Sequence, residues 1–335
     1  MSDLLELVRA GGLLRDGAPV LVMFSGGRDS TCLLDVAVRI AGARAVTALH
    51  VNYGLRATAD ADERHCARVC ERLGIGLDVR RPVRRLGEAR TGGNVQAWAR
   101  AERYRAAAEL ALARRADIAV GHTRSDQVET ILYRIASSPS RRAVLGMLAR
   151  DDSHPPVVRP LLSYTRDQTG AYCAERALGW RDDETNDSMT YARNRIRREL
   201  VPALERIHPA AQDNVLALAE ILRGEAEVLD ELVQQTLQGH SEIPLVRLRE
   251  LPPALRRLVV QRLADDAAGG PAAGVARRAE EVAAMPAHGA SALDLPSGVR
   301  ATARDGMVTF GRTPKGVRGD GRRAGDETTG GEAPT

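Results

Sequence analysis

A run of six residues without a polar side chain, PVLVMF at 19–24, leads straight into SGGRDS at 25–30 and then into TCLLDVAVRI. Six apolar residues are too few for an ordinary helix and suit a strand buried on both faces, as in a parallel sheet. After the glycines, Cys32, Leu33, Val36 and Ile40 fall at helical spacing, so the segment reads as strand, glycine turn, helix.

Such a turn exposes the N–H groups of a helix N-terminus, where the amides and the helix dipole both favour an anion. Gly26 and Gly27 let a phosphate approach the backbone, and the hydroxyls of Ser25 and Ser30 add donors. The loop fits neither GxxxxGK[ST] nor GxGxxG. Asp29 is the discriminating residue: a carboxylate repels phosphate unless a cation lies between them, which points to Mg²⁺ bridging Asp29 and nucleotide phosphates. The plainer alternative is a simple turn with Asp29 at a helix cap.

The alternation continues. AVTALHV precedes a polar helix from about Thr58 to Leu73, LDVR precedes one from about Val95 to Arg115, and DIAVGH precedes DQVETILYRI. This pattern predicts right-handed βαβ units and an α/β fold with a doubly wound parallel sheet. Ligands of such sheets sit at the carboxyl ends of the strands, so SGGRDS, HVNYGLR and GHTRSDQVET are expected to converge on one crevice. Beyond residue 150, Pro155, Pro156 and Pro160 interrupt the chain. Helices then dominate from Thr165 to about Ala284, with breaks at Pro202, Pro209, Pro244 and Pro252-Pro253. ALDLPSGVRATARDGMVTFGR reads as two strands with turns at Pro296–Gly298 and Asp305-Gly306, and from Thr313 the composition lacks an apolar face. The expected organisation is a catalytic domain over 1–208, a mainly helical domain over 209–312 ending in a β-hairpin, and a disordered tail over 313–335.

A length of 335 residues favours two domains. No stretch approaches the roughly 20 apolar residues of a membrane span, and MSDLLELVRA carries acids where a secretory signal carries basic residues, so no membrane association and a cytoplasmic location are expected. Cys32, Cys66, Cys70 and Cys173 form no CxxC pair. Lys315 is the single lysine, so phosphate contacts fall to arginine, and a net charge of +4 permits an RNA partner without demanding one. The oligomeric state is not fixed, and a homodimer stays open.

SGGRDS resembles the SGGxDS loop of the PP-loop ATP pyrophosphatases, which cleave ATP between the α and β phosphates and adenylate a substrate. HVNYGLR at 50–56, GHTRSDQVET at 121–130, RPLL at 159–162 and DETNDSMTYARNRIRRELVP at 183–202, in that order, resemble the tRNA(Ile)-lysidine synthase family. C-terminal likeness is limited to LDLPSGV. The resemblance implies ATP and Mg²⁺ as cofactors, free lysine and the tRNA(Ile) with a CAU anticodon as substrates, and ligation of lysine to C2 of the wobble cytidine through an adenylate.

Site residues follow from the resemblance position by position. Ser25, Gly26, Gly27, Arg28, Asp29 and Ser30 would hold the nucleotide, Asp29 the metal, and His50 the adenosine. Arg100 and Arg103, one turn apart in WARAERYR, are further candidates for ATP. Asp126 and Glu129, three apart at a helix start, can face one side and would bind the lysine ammonium, with His122 orienting it or handling a proton. Their alternative role is a local capping box. Arg193, Arg195, Arg197 and Arg198 would meet ATP phosphates, the adenylate or RNA; Arg193 and Arg197 share a helix face. Between the ET and RPLL motifs the family carries an Arg-Gly-Ser/Thr-Gly turn, whereas this chain has RIASSPSRRAVLGM, a stiffer connection. A tRNA thiolase of the same superfamily and a non-catalytic nucleotide-binding module are the rival readings.

Overall fold

The computed structural model describes residues 4–55, 57–83, 95–138, 141–181 and 192–314. Two compact units divide the chain, Met1–Arg223 and Gly224–Thr335. The division falls inside one continuous helix, Ala211–Leu237, rather than at the 208/209 boundary expected from Pro209.

The first unit contains α1 (Leu4–Ala10), β1 (Val20–Met23), α2 (Arg28–Ala41), β2 (Val46–Val51), α3 (Ala59–Leu73) and β3 (Gly76–Arg80). It continues with α4 (Val95–Arg114), β4 (Asp117–Ala119), α5 (Arg124–Ser137), α6 (Arg141–Val144), β5 (Arg150–Asp151), β6 (Val157–Val158) and α7 (Arg166–Glu175). After residue 191 come α8 (Ala192–Arg195), a π-helical turn over Ile196–Leu200, α9 (Val201–Ile207) and the start of α10 (Ala211–Leu237). The six strands form one sheet in the order β3-β2-β1-β4-β6-β5, parallel except for the β5–β6 pair.

Every residue of β1 is buried, as its unbroken apolar run requires of a central strand covered on both faces. Val20 registers with Val46 on one side and Asp117 on the other. One face packs Val22 and Phe24 against Leu33, Val36 and Ile40 of α2 and Tyr172 and Cys173 of α7. The other packs Leu21, Met23 and Leu49 against Ala107, Leu110 and Ala111 of α4. The chain leaves β1 toward β2 in one direction and reaches β4 in the other, so the crevice beyond the carboxyl ends of β1 and β4 is the topological switch point of the sheet.

The second unit holds the rest of α10, β7 (Glu242–Pro244), α11 (Leu245–Glu250), α12 (Pro253–Ala268), α13 (Ala279–Ala283), β8 (Ala290–Leu295), β9 (Val299–Arg304) and β10 (Met307–Arg312). The expected two-strand hairpin is three strands of a four-stranded antiparallel sheet, β7-β10-β9-β8, whose inner face buries Val299, Ala301, Ala303 and Val308 against Val259, Val260 and Leu263 of α12. The turns fall at Pro296–Gly298 and Asp305-Gly306, as read from the sequence. The proposed tail from 315 onward lies outside the described residues.

One close approach positions the crevice. A Cβ on Gly121, just after β4, would lie 3.1 Å from the Asp29 carbonyl oxygen and 3.2 Å from the Ser30 nitrogen, both backbone atoms in the first turn of α2. Gly121→Ala is therefore expected to lower stability by about 1–3 kcal/mol and to weaken nucleotide binding beyond what that loss explains. Urea unfolding and a nucleotide titration of the same preparation check both effects.

Candidate active site

Three helices begin at this crevice, and their N-termini differ. α5 is closed by a capping box, in which Thr123 and Asp126 satisfy each other's backbone, and α7 by a second one between Thr165 and Gln168. α2 begins at Gly27 with no side-chain cap. Its first-turn amides are therefore the ones left open for an anion.

The turn before α2 is tightly organised. Gly26 has φ +82, and a Cβ there would come within 3.0 Å of Cys66 Sγ, so both backbone and space call for glycine. The Arg181 amide donates to the Gly26 carbonyl at 3.0 Å. Ser30 Oγ donates to the Gly27 carbonyl at 2.9 Å and lies 3.0 Å from Ser25 Oγ, so these hydroxyls shape the loop. Arg28 Nε is buried, 3.5 Å from Asp29 Oδ1.

Asp29 accepts a 2.5 Å hydrogen bond from Thr169 Oγ1 of α7 and lies 3.5 Å from Arg166 Nε. Burial raises its carboxyl above the usual range, against the opposing effects of Thr169 and Arg166. Two further bonds brace α7 against α2: Tyr172 donates to Asp35 at 2.7 Å, and Cys173 Sγ lies 3.7 Å from the Arg28 carbonyl.

Across the crevice, Asp126 Oδ2 accepts from the Thr123 amide at 2.9 Å and the Thr123 hydroxyl at 2.8 Å, while Asp126 Oδ1 accepts from Arg166 Nη2 at 2.8 Å. Burial alone would raise this carboxyl, but Arg166, Thr123 and His122 outweigh it and hold Asp126 below the usual carboxylate range. Glu129, 3% exposed, is gripped by both ends of the Arg197 fork at 2.6 and 3.0 Å. The local capping role thus belongs to Asp126 and not to Glu129, and it uses only one of the Asp126 oxygens. Both carboxylates face the same crevice as Asp29, through Arg166.

His122 feels both Asp126 and a group of arginines. Burial pushes its pKa down to about 4; Asp126 opposes that shift, and Arg159, Arg100 and Arg193 reinforce it. Its Nδ1 is buried with no hydrogen-bond partner among the described residues. Arg193, Arg100 and Arg159 also bear on Arg134, whose pKa is lowered first by burial. Neutral acceptors hold these guanidiniums: Arg134 donates to the Gly146 carbonyl and Arg159 to the Leu148 carbonyl, each at 2.7 Å, and Arg193 reaches Thr130 Oγ1 at 3.4 Å. Arg159 and Arg134 were not singled out by the motif reading, although Arg159 opens RPLL. Arg103 Nε is buried without a hydrogen-bond partner among the described residues, and Arg100 lies over the Tyr104 ring.

The remaining expected residues divide. His50, at the end of β2, is tied through Nδ1 to the Phe24 carbonyl at 3.0 Å, which fixes its ring. Arg193 and Arg197 both reach side chains of α5, as their shared face requires, and Arg193, like Arg195 and Arg198, is exposed. Arg197 occupies the acidic half of the crevice rather than an open surface. The DETN segment lies outside the described residues, as do Pro139 and Ser140 of the connection after α5. That connection is pinned by Gln127, which bonds the Met147 amide at 2.7 Å and its carbonyl at 2.8 Å.

A PP-loop domain family model matches residues 3–204. The tRNA(Ile)-lysidine synthase of Symbiobacterium thermophilum is 34% identical, covering 92% of this chain and 68% of the relative. That of Gloeobacter violaceus is 37% identical, covering 75% of this chain and 78% of the relative. The chain belongs to the tRNA(Ile)-lysidine synthase family. Some members are much longer: the Pseudomonas fluorescens synthase, 36% identical over 66% of this chain, is covered over only 49% of its own length. The solved structure of the U34-tRNA thiolase NcsA from Methanococcus maripaludis shares the fold at a TM-score of 0.55 and 18% identity, over 66% of this chain and 78% of that one.

In this family member, His122 carries a pH signature. Its folded pKa of about 4 lies below the 6.5 of the unfolded chain, so the unfolded state binds more protons between these values. The contribution from neutral His122 is fully present above pH 6.5 and is lost as pH falls through about 4. Urea unfolding at pH 7 and pH 5 is expected to show a smaller loss of stability on acidification for His122→Gln than for the parent protein.

Proposed function

We propose that the chain ligates free lysine to C2 of the wobble cytidine in the tRNA(Ile) with a CAU anticodon, using ATP, and so forms lysidine. The observation that carries the reading is one crevice at the switch point holding an open helix N-terminus and, joined to it through Arg166, a pair of carboxylates. The first suits a triphosphate and the second an ammonium group.

ATP is the cofactor of this PP-loop family, and its phosphates would lie on the first-turn amides of α2 with Gly26 allowing their approach. Asp29 is the residue that would hold Mg²⁺. The donor set fits a metal that brings phosphate and water oxygens: among the described residues no group of three or more His, Cys, Asp and Glu forms a protein cage, while Asp29 is a partly buried single carboxylate beside the anion seat. When bound, Mg²⁺ supplies charge stabilisation for the pyrophosphate leaving group. His50 remains the candidate for the adenosine side.

Asp126 and Glu129 would orient the lysine, and His122, neutral at pH 7, offers a lone pair to the attacking amine. Arg100, Arg134, Arg159 and Arg193 form the cationic side of the site, for the adenylate or RNA phosphates, with Arg103 a further candidate for ATP, and exposed Arg195 and Arg198 suit the RNA backbone. Among the described residues no helix is long and apolar enough to cross a membrane. A tRNA-modifying role fits a cytoplasmic location, and a homodimer is compatible with this reading.

The thiolase alternative meets unfavourable cysteines. All four are buried, and burial pushes the Cys66 and Cys70 thiols up to about 12, so neither is poised as a thiolate for sulfur chemistry. Pyrophosphate release that requires both tRNA and lysine would separate ligation from sulfur transfer and from passive nucleotide binding.

Two variant series test the assignments. Asp29→Asn is expected to keep the fold and to lower tRNA adenylation by on the order of 10²-fold; near-normal pyrophosphate release by the folded variant would refute the role. Asp126→Asn and Glu129→Gln are each expected to raise the Michaelis constant for lysine roughly 10- to 100-fold while adenylation changes much less. Unchanged lysine dependence in both would return these carboxylates to purely local roles.

A further inference from the structure

Arg166 opens α7, and none of the motifs singled it out. Its guanidinium lies among three carboxylates from two other helices. Nη2 donates to Asp126 Oδ1 at 2.8 Å, Nε is 3.5 Å from Asp29 Oδ2, and Nη1 is 3.7 Å from Glu129 Oε1. Only the first contact has the length of a good hydrogen bond; the others are looser ion pairs. The side chain is 22% exposed, so it reaches the crevice instead of being sealed beneath it.

Each of the three carboxylates has an anchor that does not involve Arg166. Asp29 keeps Thr169, Asp126 keeps the Thr123 amide and hydroxyl, and Glu129 keeps the bidentate grip of Arg197. Taking one partner from a buried ion pair ordinarily strands the other charge. Here the departure of Arg166 strands none of them. Arg166 is thus the exchangeable member of the cluster, set beside a helix N-terminus left open for an anion. Phosphate oxygens would give its fork the paired acceptors that it lacks in this arrangement.

We propose that Arg166 links the two halves of the site: a triphosphate arriving at α2 draws the guanidinium off Asp126 and so vacates that carboxylate for the ammonium group of the amine substrate. The inference rests on the reading of Asp126 and Glu129 as the lysine seat. While Arg166 stays in place, an incoming ammonium meets carboxylates already neutralised by guanidinium groups. Once Arg166 turns to phosphate, the same ammonium restores the lost charge. The coupling is reciprocal, so lysine strengthens nucleotide binding by the factor by which nucleotide strengthens lysine binding.

Calorimetric titration of the full chain with α,β-methylene-ATP and Mg²⁺, with L-lysine, and with each in the presence of the other tests this link. In the parent protein the analogue is expected to tighten lysine binding about tenfold, within the usual range of such couplings. In Arg166→Gln, lysine is expected to bind more tightly than in the parent without nucleotide, the analogue to bind about tenfold more weakly, and the coupling factor to fall toward one. A purely structural role predicts the opposite for lysine, namely weaker binding without nucleotide, and that result or an undiminished coupling overturns the proposal. If the parent protein binds the analogue but no lysine in either state, the amine reading of Asp126 and Glu129 fails; analogue affinity then decides for Arg166, and an unchanged value in Arg166→Gln overturns its part as well. Arg166→Lys keeps the charge balance but loses the fork, so it serves if the glutamine variant does not fold, and parent-like coupling there overturns the link equally.

Discussion

The crevice exists because the backbone of α2 meets the end of β4 with only a hydrogen atom between them. A Cβ on Gly121 would crowd the Asp29 carbonyl and the Ser30 amide at 3.1 and 3.2 Å, so that the α2 backbone would have to give way by a few tenths of an ångström. That contact sets the open N-terminus of α2 beside GHTRSDQVET, the segment that supplies His122, Asp126 and Glu129. Interiors are packed densely enough that such a contact positions neighbouring groups to within fractions of an ångström. The open helix N-terminus and the carboxylate pair share one space because of it.

The charges in that space are sorted, not merely numerous. Asp29, Asp126 and Glu129 lie with Arg166 and Arg197, while Arg100, Arg159 and Arg193 bear on both His122 and Arg134, and backbone carbonyls and a hydroxyl are the partners of Arg134, Arg159 and Arg193. A site divided in this way can take a positively charged group and an anion at the same time. α7 serves the acidic half, since Arg166 and Thr169 both reach Asp29 from it.

Much of the first unit was legible in the sequence, since PVLVMF is too short for an ordinary helix and suits a strand covered on both faces, and the glycines after it make a tight turn. Asp126 and Glu129 were legible as acids on one helical face. Their partners were not. Arg166 lies 40 residues from Asp126 along the chain, and nothing in TRDQTGAYCAE announces that this helix packs on α2. Arg134 and Arg159 were hidden differently, because one lies within an otherwise ordinary amphipathic helix and the other precedes a proline in RPLL, with nothing local to show its partners. In the second unit, β7 is three residues long, too short for alternation to show, and it gains its place only by pairing with β10. The division within α10 was equally invisible, for a helix that runs through a boundary carries no break in its pattern.

The described cations of this crevice are all guanidinium groups, in a chain whose single lysine is Lys315. A guanidinium stays protonated throughout the physiological range and has no free electron pair to offer a carbon centre. Under the proposed chemistry, an activated cytidine would form beside cations that can hold phosphate and carboxylate but cannot attack it. An ε-amino side chain in the same positions would compete with the amino acid and leave the enzyme covalently joined to its own RNA. Arginine in place of lysine therefore keeps a competing amine out of the site, so that the amine that reacts has to be a molecule that enters from solution.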